Sequence, residues 1–363
     1  MKYFIALFLI SLSAYSQSQN KDEYEFSILT CEPGSDLYSL FGHSALRLKN
    51  HDNDIVVNYG IFSFEEKNFI KNFLYGNLEY EVGLTNTKKF FEFYYLEDRS
   101  VSEDKINLSK DNKLKIINEI NADLTKKKYS YNYFDNNCTT KLVKLFELDS
   151  IMFKNKNISE TYREGLNKNL NHHKWLRITL NILLGKPSDR KLSFRERIFL
   201  PLDFNKLLNN SKIRDHKISF KIKEKKNYLF SPAAVIILLI ILRLMFGNVI
   251  KLKNNIFDIP FFILISSIGI SLIFLWFFTN HSYSKGNLNI LWANPLYFLI
   301  FLNYNLLKSF FLKFLIILNC LFIIISFFYG QRITYEIYFL VIFILIILLI
   351  RFFRYKVHFL KDY

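Results

Sequence analysis

The second half of the chain is apolar beyond anything a soluble core requires. From Tyr228 onward the sequence is mostly Ile, Leu and Phe, whereas residues 20–227 are charged and rich in Asn and Lys. Such a split describes a chain with one part folded in water and one part in a bilayer. A helix crosses the hydrocarbon core with about twenty apolar residues. Five stretches meet or approach that length: Leu229–Phe246, Phe257–Phe278, Leu291–Leu307, Phe310–Phe328 and Ile333–Ile350. The third is the weakest, because it carries Asn294, Pro295, Asn303 and Asn305.

Met1-Lys2, the apolar run Tyr3–Leu12 and Ser13-Ala14-Tyr15-Ser16 have the form of a secretory signal peptide, with cleavage after Ser16. The expected organisation is a signal peptide at 1–16, a periplasmic domain at 17–227 and a transmembrane domain at 228–363. With five spans after an exported domain, the C-terminus lies in the cytoplasm and the protein is a multi-pass protein of the bacterial inner membrane. Charge agrees. Lys251, Lys253, Lys308, Lys313, Arg351, Arg354, Lys356 and Lys361 fall on the expected inner side, and only Lys285 and Arg332 on the outer side. Arg243, near the inner end of the first span, is expected to snorkel to the interface. The net charge of +16 is better used against anionic lipid than against nucleic acid, which an exported domain does not meet.

The exported part reads as α+β. Strands are expected at Glu25–Cys31, Ser44–Lys49, Ile55–Tyr59, Leu78–Leu84 and Lys105–Leu108, with a hairpin across 51–54. Helical patterns occupy Glu65–Leu74 and Thr87–Leu96. Ser109 caps a further helix through Leu124, with Leu114, Ile117, Ile120, Ala122 and Leu124 on its apolar face. Residues 186–190 and 195–201 read as polar connectors. No internal repeat, Gly-rich phosphate loop or heptad pattern occurs.

Cys138 begins a helix whose Leu142, Leu145 and Phe146 face the core, and a thiol in that place is favoured as thiolate by the helix dipole. His43, after Phe41-Gly42 at the head of a strand, supplies an imidazole, and Asn58 on the adjacent strand is placed to orient it. Two readings of Cys138 stand side by side: a catalytic thiol, and a structural disulfide with Cys31 in an oxidising compartment. Cys320 lies within a span and is packing. His172-His173 lacks further ligands at metal spacing, so no metal and no cofactor is expected. The outer loop between the second and third spans is rich in polar groups, and His281, Asn287 and Asn289 are its candidate substrate-binding residues.

Thr30-Cys31-Glu32-Pro33-Gly34, the run Leu37 to Arg47 containing Phe41-Gly42-His43-Ser44, Asn58-Tyr59-Gly60 and Asn136-Asn137-Cys138-Thr139-Thr140-Lys141 resemble the Lnb-type lipoprotein N-acyltransferases. The resemblance covers nearly the whole chain after the leader. It implies a circularly permuted papain-like (NlpC-type) exported domain, in which His precedes Cys as in lecithin:retinol acyltransferase, followed by an all-α membrane domain of five helices. It also implies Cys138 as nucleophile and His43 as base; Asn58 as third member rests on strand adjacency alone. Asn136, where the family often has an acid, and Lys141 leave the nucleophile untouched. The implied partners are a membrane phospholipid as acyl donor, diacylglyceryl lipoproteins as acceptors and the bilayer itself. The expected reaction passes through a Cys138 thioester to the α-amine of diacylglyceryl-cysteine. Its oxyanion is held by the Cys138 backbone N–H with support from Asn137. The alternatives are an NlpC-type peptidase or amidase acting on cell-wall peptide, and a non-catalytic membrane-anchored binding domain.

Overall fold

A computed structural model describes residues 24–146, 160–209, 214–220, 231–249, 255–301 and 305–361. The signal peptide reading, the inner-loop lysines Lys251 and Lys253, and Asn303 lie outside the described residues. Two compact units interleave along the chain. One comprises residues 1–62, 79–156 and 194–223, and the other residues 63–78, 157–193 and 224–363.

The first unit is built on strands β1 (Glu25–Cys31), β2 (His43–Lys49), β3 (Asp54–Ile61), β4 (Glu79–Asn86), β5 (Val101–Ile106), β6 (Lys128–Ser130) and β7 (Arg214–Phe220). They form one sheet in the order β6-β4-β3-β2-β1-β5-β7 with every neighbouring pair antiparallel. The expected hairpin is there, closing with Lys49 opposite Asp54. Successive side chains on a strand face opposite ways. The core takes Leu29, Cys31, Ala45, Val56 and Val101 from β1, β2, β3 and β5.

Helix α1 (Phe69–Tyr75) belongs to the second unit and starts four residues later than the pattern at Glu65 suggests. In the first unit, α2 (Thr87–Leu96) supplies Phe90 and Tyr94 to the core. Helix α3 (Lys110–Lys126) is capped by Ser109, whose hydroxyl accepts the Asn112 N–H. It buries Ile116, Ile117 and Ile120 but leaves Ala122 exposed, so its apolar face is narrower than expected. Helix α4 (Cys138–Leu145) packs on β2 and buries Leu142, Val143 and Leu145.

The second unit contains α5 (Tyr162–Asn169) and α6 (Lys174–Leu183). Arg163, 1% exposed, donates to both Asp189 oxygens at 2.9 Å and to the carbonyls of Asn181, Leu184 and Gly185. Residues 186–190 are therefore an anchoring turn, with Ser188 and the Asp189 side chain buried, rather than a polar connector. The second expected connector is likewise structural, since Ile198, Phe199 and Leu200 are buried in the first unit, ahead of α7 (Pro201–Asn209).

The remaining helices are α8 (Pro232–Val249), α9 (Asn255–Phe277), α10 (Asn305–Ser326) and α11 (Tyr335–Lys361). Among the described residues, three segments are long and apolar enough to cross a membrane: Asp258–Phe277, Ser309–Ser326 and Tyr335–Phe353. The other two expected spans are shorter apolar stretches, Pro232–Arg243 and Leu288–Ile300. The latter is not one α-helix but two 3-10 segments, Leu288–Leu291 and Pro295–Phe301. Pro295 has no N–H to give, and the Asn294 side chain takes the Leu296 N–H instead, which interrupts the α-helical ladder. Irregular backbone is tolerated in such a domain when protein covers it. Trp292, Ala293, Tyr297 and Ile300 are fully buried. Arg243 does not snorkel: it donates to both oxygens of Asp258, which also accepts from Arg351 at 2.7 Å.

Candidate active site

The loop before Cys138 sets the helix start. Asn132 and Asn136 bridge their backbones, and Asn137 becomes the N-cap of α4 in extended conformation. Its side-chain oxygen accepts the Thr140 N–H at 2.9 Å, while Thr140 Oγ1 accepts the Asn137 N–H at 2.8 Å. This reciprocal pair satisfies two otherwise orphaned donors and pins the first turn. Both amide protons of Asn137 are also committed, to the Tyr133 and Phe199 carbonyls at 2.7 and 2.9 Å. Asn137 therefore has no donor left for an oxyanion, and the expected support from its side chain is corrected to a capping role.

His43 is the first residue of β2, directly opposite Cys31 on β1. Gly42 before it has φ +79°, and a Cβ there would lie 2.6 Å from the Cys31 carbonyl oxygen. Only glycine lets the chain turn into β2 this closely to β1. Ser44 Oγ lies 3.1 Å from Thr139 Oγ1, which ties α4 to β2 beside the nucleophile.

The His43 ring hydrogen-bonds on both sides. Its Nε2 lies 3.2 Å from Asn58 Oδ1. The Asn58 amide is oriented by its other end, where Nδ2 donates to Thr85 Oγ1 at 3.1 Å. The oxygen consequently faces the ring and Nε2–H donates to it, and the ring is also hydrogen-bonded to the Cys138 thiol. A thiol, an imidazole and an orienting amide are thus joined in one chain.

Electrostatics follow from this geometry. Burial opposes a charge on Cys138, but the His43 cation, its hydrogen bond, the Ser44 backbone N–H and the Thr139 hydroxyl together outweigh it. The thiol is held below its ordinary range. Burial likewise opposes a charge on His43, yet the Cys138 thiolate, its hydrogen bond and the Asn58 oxygen hold the imidazole above its ordinary range. Each member of the pair thus favours the charged form of the other.

Cys31 is different in kind. It is fully buried, burial pushes its thiol far up, and its hydrogen bond with Tyr94 only partly offsets this. Cys31, Cys138 and Cys320 are all free thiols.

Several neighbours carry no signal in the sequence. Tyr94 stacks on His43 with ring centres 6.5 Å apart, and the Arg99 guanidinium lies 4.7 Å over the Tyr94 ring. On the other side Gly60, with φ +91° at a bulge in β3, leaves open the space between Cys138 and the Tyr129–Tyr131 pair. The aromatic character of the segment before Cys138 was the one visible hint of that wall.

The loop residues of the second unit are placed as follows. Asn289, fully buried, donates to the Asn181 and Ile182 carbonyls and accepts from Trp292 Nε1 at 2.9 Å. Asn287, 1% exposed, donates to Ile182 and accepts from the Asn289 N–H and Gln331 Nε2. The amides of these two expected substrate-binding residues are instead spent on carbonyls at the C-terminal end of α6. His281 Nε2 donates to the Phe73 carbonyl at 3.0 Å.

Comparison with known proteins follows the same division. Residues 12–168 match the family model described as the Lnb N-terminal periplasmic domain, and residues 223–358 match the one described as the Lnb transmembrane domain. No curated protein and no solved structure gave a significant match. The two matches, in this order and over most of the chain, show a periplasmic domain followed by a membrane domain, and the protein belongs to the Lnb family.

Proposed function

We propose that this protein is a lipoprotein N-acyltransferase of the inner membrane, with a permuted papain-like thiol domain as its catalytic part. The observation that carries the reading is the chain Cys138–His43–Asn58, with a thiol at a helix start held below its ordinary range by the imidazole beside it. The Cys138 thiolate attacks an ester carbonyl of a phospholipid. A C–S bond forms, the ester C–O bond breaks, and His43 gives its proton to the departing lysophospholipid oxygen. The acyl group then rests on Cys138 as a thioester. The free α-amine of a diacylglyceryl-cysteine attacks that carbonyl, neutral His43 takes the amine proton, and the C–S bond breaks to restore the thiolate. The Cys138 backbone N–H, in the first turn of α4 where no intrahelical acceptor exists, receives the oxyanion.

A lipid substrate rather than a cell-wall peptide is supported by the elements that carry the site. Leu37 lies just ahead of β2 and is 71% exposed, and Leu96, at the end of the helix bearing Tyr94, is 82% exposed. Large apolar side chains on the surface of a periplasmic domain mark contact with something apolar.

The test is expression in cells deprived of their own N-acylation enzyme, with mass spectrometry of lipoprotein N-termini. An added N-linked acyl chain is expected, and its absence from a well-expressed protein would sink the transferase reading. Cys138→Ala should abolish the product while Cys31→Ala, at a thiol kept neutral by burial, should retain it. Release of peptidoglycan fragments by the purified protein would instead favour the peptidase.

A further inference from the structure

Residues 63–78 stand apart from the sheet domain in whose sequence they occur. The chain leaves β3 after Ile61 and returns at β4, and the inserted segment belongs to the second compact unit. Its helix α1 reads Phe69-Ile70-Lys71-Asn72-Phe73-Leu74-Tyr75, and not one of these residues is buried. Ile70 is 72% exposed and Leu74 48%, and Phe64, which stacks edge-on against Phe69, is 65% exposed. A helix this apolar has no reason to form in water without something covering it.

The segment's own contacts say what covers it. Tyr75 packs edge-on against Phe274 in the last turn of α9, with ring centres 5.5 Å apart. The Asn280 N–H donates to the Tyr75 carbonyl at 2.8 Å, Asn280 Nδ2 donates to Asn77 Oδ1 at 2.6 Å, and His281 donates to Phe73 O. These bonds hold the segment at the end of α9, where Phe277 and Phe278 are themselves 65% and 63% exposed. The exposed apolar residues of α1 therefore adjoin the exposed apolar end of a helix long and apolar enough to cross a membrane. Lys67 and Lys71 are offset in charge by Glu65 and Glu66, so apolar burial and not attraction to anionic lipid is the driving term.

We infer that residues 63–78 form an interfacial finger, with Phe64, Ile70, Phe73 and Leu74 seated among phospholipid acyl chains of the periplasmic leaflet. His281, through its bond to Phe73, fastens the finger to the loop after α9. The inference does not rest on the acyl-transfer reading, and its test has no catalytic readout.

The full-length protein is placed in nanodiscs of palmitoyl-oleoyl phosphatidylethanolamine and phosphatidylglycerol, with a photoreactive residue introduced singly as Ile70→benzoylphenylalanine. Ile270, half-exposed within the α9 span, serves as lipid-facing reference, and Glu92 on the sheet domain as solvent reference. After irradiation, mass spectrometry of the peptides reads phospholipid adducts. The expected result is a lipid adduct at position 70 comparable with that at 270 and absent at 92. Adducts at 270 with none at 70 would overturn the inference, and a protein–protein adduct at 70 would replace lipid with a second copy of the chain. Acyl transfer without the adduct sinks the finger alone, while the adduct without acyl transfer sinks the function alone.

Discussion

A thiolate inside a protein is costly, and Cys138 is shifted toward that state only because three groups converge on it. Its charge is matched by the His43 imidazolium and by donors from Ser44 and Thr139. The rate of alkylation follows the thiolate population. Wild-type Cys138 should therefore stay reactive toward iodoacetamide as pH falls below the ordinary thiol range of about 8.5, losing reactivity only on passing its lowered value. His43→Gln removes the cation and keeps the burial, so the thiol moves up and alkylation at neutral pH drops by about tenfold or more. Acyl transfer should fall again on the alkaline side, as pH rises through the raised value of His43 and the proton for the leaving oxygen is lost. Asn58→Ala frees the ring and should lower turnover by about a hundredfold with protein level unchanged, as misplacement of a reacting group does. Both partners were legible as residue types beside a strand head and a helix start. The group that holds the Asn58 amide was not, because it is Thr85 on a neighbouring strand, which the sequence does not connect to Asn58.

At the scale of elements, α4 depends on its cap. Asn137 closes a capping box and donates to two carbonyls, one of them from Phe199, sixty-two residues away. Asn137→Ala should lower stability by about 1–3 kcal/mol, from the lost cap together with carbonyls left unpaired, and be visible as a lowered Tm in detergent. An oxyanion donor would instead cost turnover at unchanged Tm, and this contrast separates the two roles. The motif Asn136-Asn137-Cys138 announces a helix start in the sequence, but the partners of its amide come from tertiary packing. The same holds for Asn287 and Asn289. Polar residues in an apolar half mark something unusual, and here they satisfy carbonyls at the C-terminal end of α6, which have no intrahelical partner.

At the scale of the molecule, the chain interleaves its two units, and buried ion pairs hold the second one together. Arg163 and Asp189 are each 1% exposed, with burial opposing both charges and their mutual attraction and hydrogen bonds opposing burial. Removing one member leaves an uncompensated charge, so Asp189→Ala should destabilise by about 3–5 kcal/mol and reduce membrane-inserted protein in fluorescence-detected size-exclusion profiles. Nothing in the spacing of Arg163 and Asp189 distinguishes them from surface residues, since only the fold makes them neighbours.

The sequence alone determined the division into an exported and an apolar part, the strands β1 to β4, the helix start at Cys138 and the family. Each of these is carried by local pattern: hydropathy over tens of residues, alternation along strands, a cap before a helix. What the tertiary structure decided is which of those residues meet. It joined Cys138, His43 and Asn58, left Cys31 a neutral buried thiol, turned Asn137, Asn287 and Asn289 from ligand groups into fasteners, and moved residues 63–78 to the end of a membrane helix. The physical reason is that a hydrogen bond or a shifted pKa depends on distances between residues far apart in the chain, and those are set by packing.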